Sequence, residues 1–139
     1  MAAKRLLISA ILSASLVVAE PSFAETISRE RLVEMFSSMR ANLSWNVDGP
    51  LLWGYFFTAP KQASLEPIAK MLADRGYRPV GIYLGDKAGV GDPDVWWLRV
   101  ERVEKHTVDS LQARNSELYG LARKFAGVRY DGMDVGPAP

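Results

Sequence analysis

Residues 95–104 read Val-Trp-Trp-Leu-Arg-Val-Glu-Arg-Val-Glu (VWWLRVERVE), the most strand-like segment of the chain. Apolar and β-branched side chains dominate it, and Arg99 and Glu101 alternate with Leu98 and Val100, as is typical of a strand with one buried face. The alternation predicts that Leu98 and Val100 face a core, while Trp97 and Arg99 face the other way. The stretch therefore predicts a strand in the middle of a sheet that has helices on one side.

Strand-like and helix-like stretches alternate around it in the order βαββαβ. The predicted strands are 51–58 (LLWGYFFT), 77–84, 95–104 and 128–131. One predicted helix starts between Pro60 and Pro67 and ends before Gly76; the other runs from Thr107 to Gly127. This order predicts an α+β, ferredoxin-like domain, with a four-stranded antiparallel sheet, its first and third strands central, and two helices on one face. Residues 132–139, rich in Gly and Pro, are predicted to be a tail.

An extra amphipathic helix is predicted before this domain, from Ser28 to Arg40. Ser28 is the predicted N-cap, because its hydroxyl can accept from the first turn of the helix. The apolar residues of the helix recur at i, i+3, i+4 and i+7 and are Leu32, Met35, Phe36 and Met39. One expected position for this stripe is the face of the sheet that the other two helices leave open.

The first 24 residues have the pattern of a cleavable secretory signal. Lys4 and Arg5 precede an uncharged run of 14 residues, Leu6 to Ala19, and Ser22-Phe23-Ala24 supplies small side chains for cleavage after Ala24. The run is shorter than the ~20 apolar residues that span a bilayer. We therefore expect a signal peptide at 1–24, the extra helix and a loop at 25–50, the ferredoxin-like domain at 51–137, and an exported, periplasmic or secreted protein without a stable membrane anchor.

Composition narrows the classes of function. The chain has 17 Lys plus Arg and 16 Asp plus Glu, and removing residues 1–24 takes two bases and one acid, which leaves 15 of each. A neutral domain lacks the positive field that attracts nucleic acid or anionic lipid, so neither is an expected partner. The absence of cysteine excludes disulfides, thiolate metal sites and a cysteine nucleophile.

Few residues are candidates for catalysis or metal binding. His106 is the single histidine, and its place before a helix predicts a solvated side chain. The acidic candidates for a hard cation are Asp86, Asp92, Asp94, Asp131 and Asp134. Their spacing is not that of an EF-hand, and Asp and Gly are also ordinary turn residues. We expect no enzyme, no cofactor and no metal. The alternative, a small hydrolase or ligand-binding enzyme, would gather Asp92, Asp94, Asp131 and His106 in one cleft.

Several segments carry a family resemblance: LLWGYFF (51–57), LADRGYRP (72–79), WWLRVER (96–102) and LYGLARKFAGVRYDGMDVGP (118–137). Together they resemble the RraB-like domain of bacterial ribonuclease E inhibitors. The most specific part is the last, with Gly127, Tyr130, Asp131, Gly132, Gly136 and Pro137. The resemblance implies a ferredoxin-like fold and a non-enzymatic role in binding another protein. The activity named for the family is restraint of ribonuclease E from outside its catalytic centre, which a chain that stays in the cell would exert.

An aromatic platform on the sheet is the candidate binding surface. Its predicted members are Trp53, Tyr55, Tyr83, Trp97 and Arg99. Trp, Tyr and Arg are the residues that dominate protein-binding hot spots, so the platform predicts a protein partner. Two other interpretations remain: base stacking in RNA, which a neutral and exported chain disfavours, and coverage of the platform by the N-terminal helix.

Overall fold

The sheet predicted around residues 95–104 is present in the computed structural model, which describes residues 6–9 and 26–139. Its strands are β1 (Leu6–Ser9), β2 (Leu51–Ala59), β3 (Arg78–Leu84), β4 (Trp96–Glu104) and β5 (Arg129–Pro137). The order across the sheet is β1-β5-β2-β4-β3, and all neighbours are antiparallel. β2 and β4 are central, as predicted, and the four strands from β2 onward confirm the ferredoxin-like, α+β fold class.

Three helices complete the fold: α1 (Arg29–Asn42), α2 (Glu66–Asp74), which a short 3₁₀ turn at Gln62–Leu65 precedes, and α3 (Val108–Ala122). Both predicted N-caps are confirmed. The Ser28 hydroxyl accepts from the Arg31 N–H at 3.2 Å, and the Thr107 hydroxyl accepts from the Ser110 N–H at 3.1 Å. Within the described residues, no helix is both long enough and apolar enough to cross a membrane.

The predicted faces of β2 were wrong. Trp53 and Tyr55 were expected on the open side, yet both are buried under the helices, together with Phe57. The reason is the register with β4: Tyr55 lies opposite Val100, so the two side chains share the core face. Alternation along β2 identifies two faces but does not say which one is inside, and the largest side chains take the side that the helices cover.

The position expected for α1 was also wrong. Its apolar stripe is buried, but α1 packs beside α3 on the same side of the sheet as the other helices. The Phe36 and Trp53 rings are 6.1 Å apart, and the Ile27 N–H donates to the Tyr119 hydroxyl at 3.1 Å. Because Trp53 lies on the helix side, that side offers the apolar surface that the stripe needs.

The last strand is longer than predicted. β5 continues to Pro137, through the stretch that the Gly and Pro content had marked as a tail. The register with β2 shifts between Phe56 and Phe57, which makes Asp131 an extra residue in a β-bulge. Gly132, next to it, has a φ of 113°, a conformation that suits glycine and lets the strand resume.

The N-terminal segment enters the sheet at its edge. β1 pairs with β5, with Leu6 opposite Val135 and Ser9 opposite Gly132. The predicted cleavage after Ala24 lies outside the described residues, and so does most of the predicted signal peptide.

Candidate partner-binding face

The face of the sheet opposite α1, α2 and α3 is the candidate binding surface, and we call it the distal face. Strand register places four rows of residues on it, from one end of the strands to the other. The rows are Tyr83, Trp97, Thr58 and Arg129; then Gly81, Arg99, Phe56 and Gly132; then Arg78, Glu101, Gly54 and Asp134; and last Val103, Leu52 and Gly136.

Three of the five predicted platform residues meet on the distal face. Tyr83 of β3 lies directly opposite Trp97 of β4, and Arg99 follows two residues later on the same side. The other two, Trp53 and Tyr55, belong to the core on the opposite side of the sheet. The predicted platform is therefore smaller, and it is more polar than the sequence suggested.

An arginine and two aromatic rings pack together at the centre of the distal face. The Arg99 guanidinium carbon lies 5.1 Å from the centroid of the Phe56 ring. The Trp97 ring meets the Phe56 ring edge to face, with centroids 6.0 Å apart and planes at 82°. These contacts hold Arg99 flat against the sheet, because the positive guanidinium is attracted to the face of the ring.

Ion pairs extend from Arg99 to residues on both sides of it and join side chains from three strands, β3, β4 and β5. Its Nη1 is 2.7 Å from Asp134 Oδ2, and its Nη2 is 3.2 Å from Glu101 Oε2. Arg78 of β3 pairs with the same Glu101. Two arginines and two carboxylates balance in charge, and all but Arg78 are buried. We call these four residues the distal ion cluster.

Gly54 makes room for this cluster. It lies on β2, between Glu101 of β4 and Asp134 of β5, and the Arg99–Asp134 pair passes over it. A Cβ added to Gly54 would overlap the Arg99 guanidinium nitrogens and Asp134 Oδ1, whereas a Cβ on Gly81 would meet nothing. The central strand therefore needs a glycine because a side chain from each neighbour crosses it.

Sequence reasoning found part of the cluster and missed the rest. Alternation in β4 placed Glu101 beside Arg99, but it could not place Asp134. Tyr130 lies on the core side, and in a regular strand Asp134 would point the same way, four residues later. The bulge at Asp131 reverses that parity. A Gly after an Asp inside a strand-like run is the signal that could have suggested it.

Apolar groups are exposed on both sides of the ion cluster. Tyr83 retains 46% of its accessible surface and Val103 retains 48%. An aromatic and an aliphatic group that flank a fixed arginine form a surface suited to a protein partner, since such partners bury apolar anchors beside oriented charges.

A second polar cluster lies on the helix side, around Glu104. Its Oε2 accepts from the Tyr55 hydroxyl at 2.5 Å and lies 2.9 Å from His106 Nε2, while its Oε1 accepts from Arg114 Nη2 at 2.6 Å. Burial alone would raise the pKa of Glu104, but the hydrogen bonds from His106, Arg114 and Tyr55 outweigh it and lower the pKa to about 2. His106 is buried in this cluster, so the predicted solvated histidine was wrong.

The arrangement around His106 superficially resembles a serine–histidine–carboxylate triad. Ser110 Oγ lies 2.9 Å from His106 Nδ1. The same hydroxyl, however, accepts from the Thr107 N–H at 2.8 Å in a reciprocal capping box, and the His106 ring packs edge-on against Trp53. These contacts fix the start of α3 to the end of β4, which is a structural role.

The acidic candidates do not gather at one site. Asp92 accepts from the Gly89 N–H at 2.8 Å within its own loop, and Asp94 pairs with Lys87 at 2.6 Å. Asp131 is in the β5 bulge, where burial raises its pKa to about 6. In the part of the chain that the structure describes, no three His, Asp or Glu side chains are grouped to hold a metal ion. The cleft that the enzyme alternative requires is not formed by these residues.

The residues that carried the family resemblance shape the last strand. Gly127 follows α3 with a φ of 78°, the Tyr130 hydroxyl donates to Asn115 Oδ1 at 2.6 Å, and the bulge takes Asp131 and Gly132. The strand then runs to its last pairs with β2, which Gly136 and Pro137 form.

Comparison with known families confirms that resemblance. The family model described as "Regulator of ribonuclease activity B" (RraB) matches residues 30–135, from α1 into β5. A search of curated proteins finds no match.

Proposed function

This chain belongs to the RraB family, and on that premise we propose that it is an exported regulator that binds another protein through the distal face. Family membership supports a regulatory, protein-binding role, because the family comprises regulators of a ribonuclease and not enzymes. To this role we add an exported location and the distal face as the binding surface.

The observation that carries the proposal is the composition of the distal face. Arg99 is held between the Phe56 ring and Asp134, and Tyr83 is half exposed beside it. A fixed guanidinium loses little side-chain entropy on binding, and aromatic neighbours provide apolar area. None of the three helices covers this face, so Tyr83 is accessible on the side away from the helix layer, beside the buried Arg99.

Two observations support export: the signal-peptide pattern of residues 1–24 and the position at which the folded core begins. Ile27 is buried and its N–H bonds to Tyr119, so the domain is anchored two residues after the expected mature N-terminus at Glu25. Cleavage after Ala24 would therefore leave α1 and its cap complete.

A second candidate function follows from the family match alone. If the leader does not direct export, the chain would act inside the cell, and the partner expected from the family is ribonuclease E. The two candidates differ in compartment and in partner, so fractionation with identification of the bound protein distinguishes them.

The test compares two valines of almost equal exposure. Val103 is 48% exposed on the distal face, and Val33 is 47% exposed on α1. We expect tagged wild type and Val33→Lys, cross-linked in cells and purified from the extracytoplasmic fraction, to capture the same protein. Val103→Lys and Tyr83→Ala should capture it at least tenfold less, because each removes an anchor from the face.

Thermal melts provide the control for that comparison, since all three variants should unfold within a few degrees of wild type. Equal capture by every variant, or loss only with Val33→Lys, would show that the distal face is not the binding surface. Capture of ribonuclease E from the cytosol would favour the second candidate.

A further inference from the structure

We propose that the outer edge of β5 is a strand-acceptor site for an extended, apolar segment of a partner protein. This inference rests on the proposed export, because in the full-length chain Leu6–Ser9 occupies that edge as β1. Removal of the leader would free the edge, and the partner would add an antiparallel strand in its place.

The edge of β5 has an open window of limited length. A bulge at Asp131 lies before it and Pro137 closes it, and both features interrupt strand pairing. Between them, from Gly132 to Val135, β5 carries no proline, lysine or bulge. β1 pairs with these same four residues. The one charged residue in the window, Asp134, is paired with Arg99, so within the window β5 lacks the proline, lysine and bulge that often protect a free edge strand.

The opposite edge of the sheet is built differently. β3 contains Pro79, and its register with β4 shifts between Pro79 and Gly81. Most of its residues are exposed, whereas Met133 and Val135 of β5 are 1% and 0% exposed. β3 is thus suited to face solvent, while the apolar window of β5 is suited to being covered.

The register also predicts which residue types an added strand should carry. Met133 lies opposite Tyr55 and Val135 lies opposite Trp53, so a strand added at this edge would continue the core side of the sheet. Apolar residues are favoured opposite these two positions, where they extend the buried surface. Opposite Asp134, an acidic residue would face a like charge and is disfavoured. Leu6-Leu7-Ile8-Ser9 meets each condition.

Full-length protein can test the site directly. The double variant Leu7→Pro/Ile8→Pro lacks the backbone N–H of both residues, including the one that bonds to β5. We therefore expect β1 to detach from β5 in this variant. The probe is a fluorescent peptide of residues 4–11 (KRLLISAI). We expect saturable binding to the proline variant, and at least tenfold weaker binding to wild type and to Leu7→Ala/Ile8→Ala, which keep β1 in place.

A second peptide, N-methylated at the Leu7 and Ile8 positions, should not bind the proline variant, because it cannot donate to β5. Failure of the proline variant to bind the first peptide, or equal binding of both peptides, would overturn the acceptor site. Circular dichroism reports whether the variant is folded. Val103→Lys added to the proline variant should leave peptide binding unchanged. Peptide binding to the edge of β5 therefore depends neither on export nor on the distal face. Its absence would overturn the acceptor site and leave the proposed function untouched.

Discussion

At Glu104, donors from three other residues converge on one carboxylate, and this makes the residue a source of pH-dependent stability. Tyr55, His106 and Arg114 come from β2, from the segment before α3 and from α3 itself. The cluster joins these elements at one end of the sheet. We therefore expect it to contribute to folding and not to catalysis.

The pKa of Glu104 sets the sign of the effect. Folding lowers it from 4.5 to about 2, so the stabilisation is complete above pH 4.5 and is lost as the pH falls through 2. At pH 6, Glu104→Gln should lower the free energy of unfolding by about 1–2 kcal/mol, allowing for solvent screening of this partly exposed group. Urea titrations should show the difference shrinking toward pH 2. A constant difference from pH 6 to 2 would contradict this.

The sequence predicts the face of some residues of the site correctly and the face of others incorrectly. Trp97 and Arg99 were predicted on one face because β4 alternates regularly. Trp53 and Tyr55 were predicted on that same open face and are in the core instead, because the side of β2 that is buried depends on its register with β4. That register is a long-range property that no local pattern encodes.

At the scale of the element, β2 depends on a glycine that a β-propensity argument would call unfavourable. Gly54→Ala should destabilise the protein by about 1–3 kcal/mol, because the methyl group would displace the Arg99–Asp134 pair. Gly81→Ala, also on the distal face but in open space, is the matched control and should change stability by less than about 0.5 kcal/mol. Chemical denaturation of both variants measures this. Equal effects would mean that the pair does not cross β2 as described.

The elements were predicted unequally well for a physical reason. α1 and α3 have polar N-caps and apolar stripes, which are local signals, and both were found. β5 was cut short because glycine and proline usually end strands. Here one glycine serves the bulge, and the proline lies at the very end of the strand.

At the scale of the whole molecule, α1 makes the helix layer three helices wide and leaves the distal face to the sheet alone. Phe36→Ala should cost about 3–5 kcal/mol, because Phe36 is buried against Trp53. Val33→Ala, on the exposed side of α1, should cost less than about 0.5 kcal/mol. Thermal or urea unfolding distinguishes them. A small effect of Phe36→Ala would indicate that α1 is not part of the folded domain.

We propose that this RraB-family domain acts outside the cytoplasm, and the N-terminal residue of the native protein is the sharpest test of that location. The measurement is N-terminal sequencing of untagged protein from separated cytosolic and extracytoplasmic fractions. We predict a chain that begins at Glu25, in the extracytoplasmic fraction, because Ser22-Phe23-Ala24 is the expected cleavage signal. Intact protein that begins at Met1 and lies in the cytosol would contradict the claim.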